Sequence, residues 1–287
     1  MNNTYLYEQI RYKVSIVFDI DVFMEEFVMK QRVSFLGALK YEFRMQLHRR
    51  VIWISFIALG LFFTQFHQPW FRPISTSASA SIIYWTGIVQ SFLAVVAGLL
   101  LADRLPRDRR MKVDELLNTL PCTVSTRIFG KYLGSTIATL VPMLVIYSIG
   151  TAYILIRWHT LQELPLALAS FAAIVIPGVM FIGAFSIACT AILWVPFYQI
   201  LFVGYWLWGN LLPNVGIPTL STTILTPVGG YMCTGFFNPQ GREGVCSPGI
   251  QGATALLGAE SILLLLGTAV VVLFALIGYL KRQQTCQ

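Results

Sequence analysis

Six times between Val51 and Leu280 the sequence returns to a long run of Leu, Ile, Val, Phe and Ala, and this recurrence limits what the chain can fold into. A helix needs about 20 apolar residues to cross a bilayer. The runs are Val51–Phe66, Ile82–Ala102, Phe129–Ile156, Leu164–Leu193, Phe197–Leu212 and Ala253–Leu280. The first and fifth are short and need flanking residues or a locally thin bilayer. Only 11% of the 287 residues are charged, against about 25% in soluble domains, and mean hydropathy is +0.69. These features predict an all-α integral membrane fold with six transmembrane helices.

The basic residues predict an orientation. Eight Lys/Arg precede the first run, seven lie in residues 103–131 and two follow the last run; the other connections hold only Arg72, Arg157 and Arg242. Cytoplasmic loops collect Lys and Arg, so both termini are expected in the cytoplasm. The formal net charge of +7 then needs no nucleic acid partner, and no basic run is interleaved with aromatics as a binding groove would require. Residues 1–31 mix charges throughout and read as an N-terminal cytoplasmic arm with no cleavable signal peptide. Residues 32–287 form the transmembrane domain.

Two further segments have a distinct pattern. In "RVSFLGALKYEFRMQLHRR", Leu36, Leu39, Phe43 and Leu47 recur at helical spacing while Lys40, Arg44 and Arg49 point elsewhere. An interfacial helix at the inner leaflet suits that pattern, as opposed to a simple extension of the first pass. The connection Pro213–Gly252 is rich in Pro and Gly, too polar to span, yet carries apolar patches. It reads as re-entrant helices, whose broken backbone must be buried in protein or wetted. Cys233 and Cys246 both fall there, in an oxidising compartment, and could pair. Cys122 and Cys286 are expected reduced in the cytoplasm, and Cys189 reads as a packing residue.

Several chemistries lack their residues. His48, His67 and His159 are scattered with no ligand spacing, so no metal is expected. No nucleophile stands in a recognisable context. "FGKYLG" lacks the upstream glycine of a phosphate loop, so ATP hydrolysis by this chain is not expected, nor a bound cofactor. Within the runs, Glu260 is an intramembrane carboxylate and a candidate for a translocation path, or it simply reaches the interface. The fifth run carries Tyr198, Gln199, Phe202, Tyr205 and Trp206. These read either as core packing or as the wall of a path. In the fourth run, Pro177–Gly178 predicts a kink, and Gly183, Ala184 and Ala188 allow close helix contact.

The most charged segment is "LPRDRRMKVDELLNTLP", Leu105–Pro121. Arg104–Lys112 serves as a topology anchor that attracts anionic membrane lipids. The part that follows is different. Asp114 and Glu115 suit a helix start, Leu116, Leu117 and Leu120 form an apolar side, and Pro121 favours an end. Such a helix, lying along the membrane surface from Val113, needs a soluble partner to cover its leucines.

Here the sequence resembles the ABC-2 type transporter permease family, the membrane subunits of type V ABC exporters. The resemblance lies in a basic stretch, then Glu115-Leu116-Leu117 with Pro121, then Gly130-Lys131-Tyr132-Leu133-Gly134 opening the third pass. It departs in Cys122-Thr123-Val124, where the family often has Val-Ser-Arg after the proline. The resemblance implies the plasma membrane of a prokaryote and two permease subunits, identical or paralogous, around a path lined mainly by the second and fifth passes. It also implies a separate ABC ATP-binding subunit carrying ATP and Mg. Val113, Asp114, Glu115, Leu116, Leu117 and Leu120 would form the coupling helix in a groove of that subunit. The alternative is a non-transporting membrane anchor or sensor that docks a cytosolic partner through the 113–121 helix.

Overall fold

In a computed structural model, the described residues are 34–66, 77–110, 123–210, 220, 223–237 and 252–285; side chains are described for these apart from 62–66, 109, 210 and 284–285. Among them the chain is helical, with no strand. We number the helices α1 (34–47), α2 (Arg50–Phe66), α3 (Ala78–Asp108), α4 (Val124–Trp158), α5 (Leu164–Cys189), α6 (Val195–Asn210), α7 (Gly230–Phe237) and α8 (Ala255–Thr285). The arm expected over residues 1–31 and the coupling helix expected over 113–121 lie outside the described residues.

Four helices are long and apolar enough to cross a membrane: α3, α4, α5 and α8. They match the second, third, fourth and sixth runs. The first run forms α2, of 17 residues, and the fifth forms α6, of 16 residues. At 1.5 Å per residue these measure about 25 Å, short of a hydrocarbon core of about 30 Å.

Lipid tails are as apolar as leucine, so helix association inside a bilayer depends on close packing and interhelical hydrogen bonds. Both are visible. α5 is central: it packs on α3, α4 and α8, through small residues such as Ala184 and Gly183. In the apolar windows of α3 and α5, 61% of residues are buried, against 33% in α8. α8 therefore turns most of its surface, including Leu263, Val271 and Phe274, outward. α2 lays Ile52 and Phe56 against Met143 and Tyr147 of α4.

Polar side chains pin the same helices together. Trp85 of α3 donates to the Tyr147 carbonyl at 3.1 Å. Thr86 meets the hydroxyls of Tyr147 at 3.2 Å and Ser170 at 3.1 Å, and Tyr147 donates to the Ala167 carbonyl at 2.8 Å. Each such bond contributes roughly 0.6 kcal/mol in a bilayer, but together they fix the register of α3, α4 and α5.

α3 and α5 each contain one wide π turn, Val89–Leu93 and Phe171–Val175. The second of these lies immediately before Pro177–Gly178, where the sequence predicts a kink. Pro177 has no N–H to donate and its ring crowds the preceding turn. The wide turn immediately before it accommodates both effects.

The Pro213–Gly252 connection is described in part. Its residues 223–237 include the short helix α7, which packs on α8 and buries Met232. Gly229 turns the chain into α7 with φ +83°, a conformation open to glycine at little cost.

Candidate functional site

At the end of the bundle that carries α1, a cluster of charges is buried among three helices. It begins with the sequence GKYLG at the start of α4. Gly130 and Gly134 lie one turn apart on one face, and α1 crosses over them. A Cβ at Gly134 would stand 2.7 Å from the Leu39 carbonyl oxygen and 2.9 Å from Glu42 Cβ. One at Gly130 would stand 3.0 Å from Ala38 Cβ. Only glycine permits this approach, the small-xxx-small geometry of membrane helix pairs.

Lys131, between the glycines, is 4% exposed. Its ammonium meets Glu42 Oε1 of α1 at 3.2 Å and donates to Asp108 Oδ2 at the end of α3. One turn beyond Glu42, Gln46 donates to Thr139 of α4 at 3.1 Å. Arg104, on α3 one turn before Asp108, is 1% exposed. Its Nη1 lies 3.9 Å from Glu42 Oε2, too far for a hydrogen bond. Arg104 Nε, Nη1 and Nη2 are all buried without a hydrogen-bond partner, as is Arg107 Nη1. Arg49, just before α2, completes the group. Its own burial lowers its pKa, the Arg107 charge lowers it further, and Asp103 opposes both.

The amphipathic segment expected over 32–50 is helical over 34–47, with Lys40 and Arg44 exposed. Glu42 and Gln46 are buried against the bundle, Leu39, Phe43 and Leu47 are half-buried, and Leu36 is 61% exposed.

The residues expected to line a path fall into two groups. Tyr198, Phe202 and Trp206 of α6 form a row, with ring centroids 5.8 and 5.7 Å apart, and pack inward. Tyr198 hydroxyl meets Ser186 Oγ of α5 at 3.0 Å, Gln199 donates to the Leu99 carbonyl at 3.3 Å, and Trp206 donates to the Ser91 carbonyl at 2.6 Å. Ser91 lies in the π turn of α3, where the wide turn alters the helical bonding of carbonyls and makes one available to the indole. Tyr205 and Glu260 are exposed, and Tyr205 hydroxyl accepts from the Leu220 N–H at 3.0 Å.

Gln90, fully buried in the same π turn, donates to the Pro227 carbonyl at 2.7 Å. Gly178 makes room for this bond: a Cβ there would lie 2.0 Å from Gln90 Nε2. The connection before α8 is thereby held to the bundle core. Cys233 in α7 is disulfide-bonded, Cys189 is free, and Cys246 lies outside the described residues. Among the described residues, no three His, Cys, Asp or Glu gather as a metal site would need. His48 contacts the Arg44 carbonyl at 2.8 Å and His159 caps α4 in the left-handed conformation.

Sequence reasoning missed the charge cluster. A signal was present: a lysine between two glycines, one turn apart, on an otherwise apolar helix has to find a carboxylate. Which carboxylate it finds depends on the fold.

No family model matches this sequence, and no curated protein matches it.

Proposed function

We propose that the chain is the permease subunit of an ATP-driven exporter, with six passes and both termini in the cytoplasm. The observation that supports this best is the joint formed by α1, the end of α3 and the start of α4. Lys131 binds one carboxylate from α1 and one from α3. Asp108 stands five residues before Val113, where the amphipathic segment with Leu116, Leu117 and Leu120 begins. A force on that segment passes through Asp108 and Lys131 into both α1 and α4. That is the mechanical requirement of a subunit driven from below by a separate ATPase.

In this reading the leucines of 113–120 seat in a groove of the ATP-binding subunit, and Asp114 and Glu115 add polar contacts. ATP favours one arrangement of the assembly because the ATPase binds that arrangement more tightly. A second permease copy faces the exposed side of α6, where Phe197, Ile200, Leu201 and Trp208 lie outward. Tyr205 and Glu260 are the path candidates that remain exposed, whereas Tyr198, Phe202 and Trp206 hold α6 in place. Leu117→Asp tests the reading. With a candidate ABC ATP-binding subunit co-expressed, the variant should insert in the membrane normally and lose ATPase co-purification. Undiminished co-purification overturns the coupling contact.

A further inference from the structure

Lys131 takes the nearer oxygens of both Glu42 and Asp108, and Arg104 is left with Glu42 at 3.9 Å. A guanidinium offers five N–H donors, and a buried one without partners is costly. Arg104 and Arg107 are three residues apart on α3 and so share a face. Arg49 immediately precedes α2, which packs on the second half of α3, and it lies within electrostatic range of Arg107. Among the described residues, four basic groups, Arg49, Arg104, Arg107 and Lys131, thus face three acids, Glu42, Asp103 and Asp108. One positive charge is left over, together with the unused donors of Arg104 and Arg107.

We propose that Arg49, Arg104 and Arg107 form a binding site for a phosphate group. Burial places Arg104 deepest, with the half-buried Arg49 and Arg107 at the rim. Three guanidinium forks suit the several oxygens of one phosphate, which accept paired N–H bonds. The site lies where the apolar run of α3 ends, at the depth of lipid headgroups, where basic pockets between helices bind anionic lipid. The ligand chemistry is an anionic phosphate group, carried on a lipid headgroup or free in solution. A bound phosphate would fasten α2 to α3 beside the joint that Lys131 makes with α1. The site does not depend on an ATPase partner.

The test uses the full chain in nanodiscs of phosphatidylcholine, with or without phosphatidylglycerol, and reads the melting temperature and lipid retention by native mass spectrometry. Phosphatidylglycerol should raise the melting temperature of the wild type. Arg49→Gln and Arg107→Gln should each weaken phosphatidylglycerol retention about fivefold, the worth of one basic residue at a lipid surface. Arg110→Gln, on an exposed position of the same segment, should not. Arg104→Met removes the buried charge and its 3.9 Å contact with Glu42, and leaves three basic groups facing three acids. It should melt no lower than the wild type in phosphatidylcholine and gain nothing from phosphatidylglycerol. In a further arm, inorganic phosphate replaces chloride at matched ionic strength in phosphatidylcholine discs. A stabilisation there that the same variants lose keeps the site and assigns it to soluble phosphate. Equal responses in the wild type, Arg49→Gln and Arg107→Gln, or no response to either phosphate source, overturn the proposal.

Discussion

Lys131 answers to two carboxylates that belong to different helices, so its loss is felt in two places. Removing one member of a buried ionic group leaves the others uncompensated, at a cost of about 3–5 kcal/mol. Lys131→Met should therefore lower the melting temperature sharply in detergent. Replacing Glu42 by Gln and Lys131 by Met together should cost less than the sum of the two single changes, since each removes the other's unpaired charge. Additive losses would show that the two side chains do not share a bond. At the opposite end, Gln90→Leu keeps the size of the side chain and removes the donor to Pro227. The expected loss is about 1 kcal/mol. Hydrogen exchange should speed up at the Gly229 and Cys233 amides, which close the turn into α7 through bonds to Thr226 and Gly229.

Between elements, the contact of α1 with α4 depends on two absent side chains. Gly134→Val would push a methyl-bearing Cβ into the Leu39 carbonyl and force α1 away. Ala38→Cys and Gly130→Cys would set their Cβ atoms 3.0 Å apart, about half an ångström inside the disulfide range, so a small outward shift of α1 brings the pair to bonding distance. The pair should crosslink under mild oxidation, and adding Gly134→Val should abolish the crosslink. Persistence of the crosslink in the triple variant would place the contact elsewhere. The helices themselves were readable in advance, because runs of Leu, Ile and Val such as Ile82–Ala102 leave few alternatives in lipid. Their π turns were not. A wide turn at Val89–Leu93 leaves no mark in composition and is justified only by partners from distant segments, Pro227 and Trp206. The docking of α1 was hidden for a related reason: hydrophobic periodicity marks a greasy face but gives no sign that Glu42 and Gln46 pack against α4.

At the scale of the whole molecule, basic side chains among the described residues gather at one end. Arg49, Arg104, Arg107 and Lys131 cluster beside α1, while Arg157 stands at the far end of α4. If that basic end is cytoplasmic, a membrane-impermeant thiol reagent should label Gln162→Cys in intact cells and leave Gln283→Cys unlabelled until the cells are opened. The reverse pattern would invert the topology and place the 113–121 segment out of reach of any cytosolic ATPase. The segment proposed for coupling stands out in the sequence because acids followed by paired leucines form a local pattern. The joint of α1, α3 and α4 does not, because it unites residues 42, 104, 108 and 131, which only the packed bundle brings together.

The bond between Gln46 and Thr139 spans 93 residues, and that separation has a consequence for synthesis. At roughly 5–20 residues per second, Glu42 and Gln46 leave the ribosome several seconds or more before Lys131 and Thr139 exist. During that interval α1 has no dock, although α2 and α3 are already made. The synthesis of α4 is then the step that retrieves it. A nascent chain halted before α4 should carry α1 loose and open to protease, and one released just beyond it should carry α1 clamped.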